Sequence, residues 1–218
     1  MQGIISAVRR NSLAENAGIK AGEKLCAVNG VSVHDIIELS YLVADEQIIL
    51  TIEDSECRQR QIVIEKYTDE ELGLEFEAAV FDGVTTCYNN CVFCFVDQMI
   101  PGMRESLYVR DDDYRLSFLY GNFITLTNMK EEDFEQIIKT HMSPLYISVH
   151  ATRPEVRCQM MNNRFAGELM SKINRLVEAG ISIHTQIVCC PGYNDGEVLE
   201  QTLSLIHISE PTRLQLIS

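Results

Sequence analysis

Three cysteines crowded into Cys87-Tyr-Asn-Asn-Cys91-Val-Phe-Cys94 constrain this chain more than any other feature in it. Thiolates are metal ligands, and spacings of four and three gather three of them around one loop. The loop follows the strand-like Ala79-Val-Phe and a Gly83-Val-Thr-Thr lead-in, so the chain must fold to present a turn at a strand end. Three thiolates so placed can wrap one corner of a metal cluster. A 4Fe–4S cube has four irons, and three cysteine ligands leave the fourth open to a substrate or cofactor. The competing reading is a structural zinc completed by Cys158, Cys189 or His150, because zinc prefers four Cys or His ligands. Cys26, Cys57 and Cys158 otherwise read as small buried apolar residues.

Composition narrows the setting. At 218 residues and 46% hydrophobic, the chain can bury one mid-sized core or two small ones. No run approaches a membrane helix, and Met1-Gln2-Gly3-Ile4 lacks the basic and apolar regions of a signal peptide, so the expected location is the cytoplasm and no membrane partner is expected. There, eight cysteines are ligands, catalytic groups or buried residues rather than disulfides. A formal charge of −14 repels phosphate backbones, which argues against nucleic acid as a general partner.

The first 66 residues read as a small α+β module. Gly3–Val8 and Lys24–Val28 suit half-buried strands, and Asn29-Gly30 is a tight-turn signal. Ser12-Leu-Ala-Glu15 is a capping-box pattern, with Gly18 able to end the short helix it starts. A second helix is expected over Asp35 to Val43, followed by a hairpin of Ile48, Leu50, Ile52 and then Ile62, Ile64 around Asp54-Ser55-Glu56. Gly3-Ile4-Ile5, Asn11-Ser-Leu-Ala-Glu-Asn-Ala-Gly18, Ala21-Gly22-Glu23 and Val28-Asn-Gly30 together resemble a bacterial PDZ domain. The resemblance implies a peptide C-terminus as partner, its carboxylate captured by the Gly3, Ile4 and Ile5 amides; a packing domain without a ligand is the alternative.

After an acidic stretch, Tyr67 to Glu77, taken as the boundary, strands alternate with helices, which predicts βα units and a parallel sheet. The expected strands are Ala79–Phe81, Leu116–Leu119, Leu145–Val149 and Ile181–Val188. The expected helices follow Asn128, capped with Glu131, and run from Ala166 to Ala179 before Gly180. Asp111 to Asp113 reads as a solvated acidic face, with a functional loop as the alternative.

The cysteine loop, with Phe93 just before its third cysteine, resembles the signature of radical S-adenosylmethionine (radical SAM) proteins. The resemblance implies a 4Fe–4S cluster on Cys87, Cys91 and Cys94, S-adenosyl-L-methionine on its open iron, reductive cleavage to a 5′-deoxyadenosyl radical, and an electron donor such as flavodoxin or ferredoxin. It also implies cofactor contacts at Gly121 and Asn122, in Tyr120-Gly121-Asn122 where the family carries Gly-Gly-Glu, and at Ser148 and Gln186, with His150 nearby. With the PDZ-like front, Asp111 to Asn128 and Gln186-Ile-Val-Cys-Cys-Pro-Gly-Tyr-Asn194 resemble bacterial radical SAM proteins that have an N-terminal PDZ domain and a C-terminal domain of unknown function.

The expected architecture is therefore α/β: a PDZ-like domain over 1–66 and a partial (β/α) radical SAM barrel over 67–203, with about four of six units. The tail Ser204-Leu-Ile-His-Ile-Ser-Glu-Pro-Thr-Arg213 resembles a sequencing adapter translated in an open frame. Residues 204–218, His207 among them, are therefore expected to be non-native, and the fragment to lack turnover; a natural extension is the alternative. The competing function is a peptide-binding PDZ protein with a structural zinc in its cysteine loop.

Overall fold

Caps and turns in the front of the chain set its elements where the apolar alternation requires them. The computed structural model describes residues 2–207. They divide into two units, one ending at Gly83 and one beginning at Val84. In the first, β1 (Gly3–Val8), β2 (Lys24–Val28), β3 (Val31–Ser32), β4 (Gln47–Glu53), β5 (Gln59–Glu65) and β6 (Leu74–Phe76) form one sheet in the order β5-β4-β2-β1-β6, with β3 on β2. All its pairings are antiparallel.

Ser12 starts α1 (Leu13–Asn16) by accepting the Glu15 N–H at 3.2 Å, and Asp35 starts α2 (Ile36–Leu42) by accepting the Glu38 N–H at 2.7 Å. Asn29 and Gly30, both at positive φ, turn β2 into β3. Ile5, Leu25, Val28, Ile48, Leu50 and Ile52 are fully buried between sheet and helices. This matches the expected elements of the front module. The stretch 67–83 adds to it: β6 pairs with β1, and Val80 bridges Asp35, so strand pairing runs past the expected boundary at 66.

The second unit carries α3 (Tyr114–Tyr120), α4 (Glu131–Thr140), β7 (Leu145–Ser148), α5 (Pro154–Met161), α6 (Leu169–Glu178), β8 (Ile183–Gln186) and α7 (Glu197–His207). β7 and β8 pair in parallel, with Ser148 beside Gln186, and Ile124 bridges Ile147 in parallel on the other side. Two expected strands are corrected. Leu116–Leu119 lies inside α3, because Asp113 caps that helix by accepting the Arg115 N–H at 3.0 Å and Gly121 closes it at φ 76°. A short apolar run cannot by itself distinguish the two periods. Ala79–Phe81 supplies only the Val80 bridge, in the first unit.

The N-cap of α4 also comes two residues later than expected, at Lys130, whose N–H donates to Asp133 at 2.7 Å. The expected cap residue, Asn128, instead donates its side-chain amide to the Thr86 carbonyl at 3.2 Å. α6 begins at Leu169, after a turn of 3-10 helix at Arg164–Glu168. Ser204 to His207 continue α7, and the rest of the expected tail lies outside the described residues.

Candidate metal and cofactor site

The cysteine loop is shaped by the backbone on two sides. Residues 85–87 run antiparallel to 110–112: the Cys87 N–H donates to the Arg110 carbonyl and the Asp112 N–H to the Thr85 carbonyl, both at 2.8 Å. Further on, the Asn90 and Val92 N–H groups donate to the Met161 and Met160 carbonyls at 3.1 and 2.9 Å. These carbonyls end α5, where the helix leaves acceptors unused.

Cys87, Cys91 and Cys94 all line one cavity of about 650 Å³. The C-terminal ends of the parallel strands open onto it through Ser148 and Gln186, the position at which ligands bind in parallel α/β sheets. Asn122 lines it as well and donates to the Asp111 carboxylate at 2.7 Å. Apolar side chains, including Phe93, Phe95, Val109 and Phe123, complete its wall. Of the four expected cofactor contacts, only Gly121 is outside the lining. It ends α3, and the Tyr146 ring stands 3.4 Å from where its Cβ would be.

Polar groups that the sequence reading missed hold this arrangement. Asn89 shares its amide among Cys87 Sγ (3.3 Å), Thr125 Oγ1 (3.1 Å) and Thr127 Oγ1 (3.0 Å), and accepts from Asn163 at 2.7 Å. Arg157, 1% exposed, donates to the carbonyls of Val149, Ala166, Thr125 and Ser148 at 2.6–2.9 Å. The acidic triplet is not a solvated face. Asp112 is buried and accepts from the Thr125 N–H and hydroxyl, both at 2.6 Å; buried Asp113 pairs with Arg115 at 2.7 Å. Burial pushes the Asp112 carboxyl above its usual range.

The donor set suits a cluster. Burial pushes the Cys91 thiol up to about 12, with the Cys87 and Cys94 charges adding to it, and burial raises Cys87 as well. Three thiolates in this pocket therefore call for positive charge among them, which irons would supply. Among the described residues, no group of three or more His, Cys, Asp or Glu is placed to hold a metal ion.

Of the residues named as completing a zinc site, Cys158 and Cys189 lie outside the cavity lining. The Cys158 thiol donates to the Arg164 carbonyl at 3.4 Å, and Cys189 is exposed outside the cavity lining. His150 does line the cavity, but its Nδ1 accepts the Val188 N–H at 3.2 Å and its ring packs on Phe93 at 4.4 Å.

Residues 66–213 match the family model described as a Radical SAM-like domain. The chain belongs to the radical SAM-like family. Residues 4–54 match the model of a PDZ domain, so this radical SAM-like chain carries an N-terminal PDZ domain. A search of curated proteins finds no match.

In the PDZ domain, the Gly3, Ile4 and Ile5 expected to form a carboxylate-binding loop lie on β1, between β2 and β6. The Ile5 N–H already donates to the Glu23 carbonyl at 2.9 Å. The outer strand on that side is β6. It is preceded by Leu72-Gly73, whose carbonyls accept from the Ala14 and Arg9 N–H groups at 3.0 and 2.8 Å. Among the described residues the Leu72 and Gly73 N–H groups meet no acceptor. Gly73 takes φ 77°, and a Cβ there would meet Ser12 Cβ at 2.4 Å. The sequence signal was Leu72-Gly73-Leu74, a glycine between leucines inside the acidic stretch. No helix among the described residues is long and apolar enough to cross a membrane.

Proposed function

We propose that this chain is a radical SAM protein in which Cys87, Cys91 and Cys94 hold a 4Fe–4S cluster. S-adenosyl-L-methionine on the open iron would supply the chemistry, reductive cleavage to a 5′-deoxyadenosyl radical, with the electron drawn from a donor such as flavodoxin or ferredoxin. One observation carries the reading: three thiols and the ends of two parallel strands converge on one cavity.

In this reading Ser148, Gln186 and Asn122 bind and orient the cofactor's polar groups, and the apolar wall at Phe93 and Phe123 excludes water from the reacting centre. Gly121 contributes by ending α3, which delivers Asn122 to the cavity. In this reading the two-stranded parallel sheet and the Ile124 bridge would belong to a (β/α) barrel. A cytoplasmic setting suits eight free thiols.

Anaerobic reconstitution with iron and sulfide tests this. The expected product is a brown protein with about four irons, reducible to a paramagnetic state whose spectrum shifts on adding S-adenosyl-L-methionine. Cys91→Ala should abolish it and Cys57→Ala should leave it intact. Equal loss in both variants, or zinc bound without sulfide, would overturn the assignment.

A second reading concerns the PDZ domain, where an outer strand and unengaged amides favour capture of a peptide C-terminus by strand addition. The peptide would pair with β6 and set its carboxylate on the Leu72 and Gly73 amides, rather than on Gly3-Ile4-Ile5, where Ile5 is already bonded. Amidating the C-terminus of a selected peptide should remove most binding, and in amide-detected NMR the free acid should move the Leu72 and Gly73 signals most. Equal binding of the amidated peptide, or shifts centred on Gly3 to Ile5, would refute this placement.

A further inference from the structure

Two arginines flank the cysteine loop without being needed as its ligands. Arg110 lines the cavity wall. Its Nη2 donates to Cys94 Sγ at 3.7 Å, its Nη1 to the Asn89 carbonyl at 3.5 Å, and its guanidinium pairs with Asp97. Its own carbonyl holds the Cys87 N–H, so the backbone that shapes the loop also fixes the root of this side chain. Arg157 approaches from the core, on the helix whose last carbonyls hold the amides on either side of Cys91. Among the described residues it is tied to four carbonyls and to no carboxylate oxygen.

A guanidinium stays charged even at this depth, and burial lowers Arg157 only to about 10. Arg110 reaches a ligand thiol directly, and Arg157 stands behind the cavity wall on the carbonyls of Thr125 and Ser148, both of which line it. Asp97, Asp111 and buried Asp112 are the nearby acids: Asp97 on Arg110, Asp111 in the cavity lining and hydrogen-bonded to Asn122, and Asp112 within electrostatic reach of Arg157.

A cluster held by three thiolates gains one negative charge on reduction, and its potential follows the charge and hydrogen bonds around its sulfurs. We infer that Arg110 and Arg157 are potential-setting residues for the cluster, two fixed cations that favour its reduced state, with Asp97 partly offsetting Arg110. The inference rests on the cluster reading above. It assigns the two arginines a task beyond positioning: they make the site reducible by a donor of moderate strength.

The test is an anaerobic redox titration of the reconstituted full chain, followed by the paramagnetic signal of the reduced cluster. At the wild-type midpoint, Arg110→Met should hold about tenfold less reduced cluster relative to oxidised, a midpoint about 59 mV lower for one electron. Arg157→Met should move it the same way, and the Lys variants of both should stay near wild type. Asp97→Asn should move the midpoint upward, a sign that loss of packing would not produce.

Should Arg157→Met fail to fold, Arg110 and Asp97 still decide the matter, since their side chains are 29% and 43% exposed. A wild-type midpoint in an Arg110→Met protein with full iron content overturns the inference and leaves the cluster reading standing. A wild-type chain that takes up no acid-labile sulfide brings down both.

Discussion

His150 shows how closely a single residue can be held beside the cysteine loop. It stands at φ 62°, left-handed and unusual for a residue with a Cβ, is 3% exposed, and takes the Val188 N–H on Nδ1. Burial, with the Arg157 charge adding to it, lowers its pKa to about 3. In the unfolded chain the same imidazole titrates near 6.5. Between those values the unfolded state binds one proton more, so stability is highest above pH 6.5 and falls as the pH drops. In the metal-free protein this costs about 1.5 kcal/mol between pH 6.5 and 5. Urea unfolding at the two pH values should show that slope in the wild type and its loss in His150→Phe; parallel slopes would refute the assignment. Asn89, Arg110 and Arg157 were not legible as site residues. Asparagine and arginine are common on surfaces, and their value here comes from partners that the fold brings from 16 to 74 positions away.

At the scale of elements, several of those set by local signals are legible in the sequence. Ser12, Asp35 and Asn29-Gly30 placed two helices and a turn because caps and tight turns need only neighbouring residues. β6 was missed because three residues of strand in an acidic stretch carry no period, and its existence depends on pairing with β1 more than sixty positions earlier. α3 was read as a strand because its apolar run is short; the cap at Asp113 and stop at Gly121 decided it. The bend into β6 rests on Gly73, and Gly73→Ala should destabilise the PDZ domain by about 1–3 kcal/mol, through strain at positive φ and the approach to Ser12. Thermal or urea unfolding measures this. An unchanged midpoint would mean the bend has another way to form.

Across the whole molecule, the cysteine loop was the most legible part of the site, since the chain itself keeps three thiols within eight residues of one loop near one another. That loop has a further consequence. Its path is fixed by hydrogen bonds from its amides to the carbonyls of Arg110, Met160 and Met161. These bonds use backbone atoms alone, so a change of the cysteine side chains leaves every one of them available. The course of the loop and the identity of its thiols are therefore separable, and each can be altered without the other.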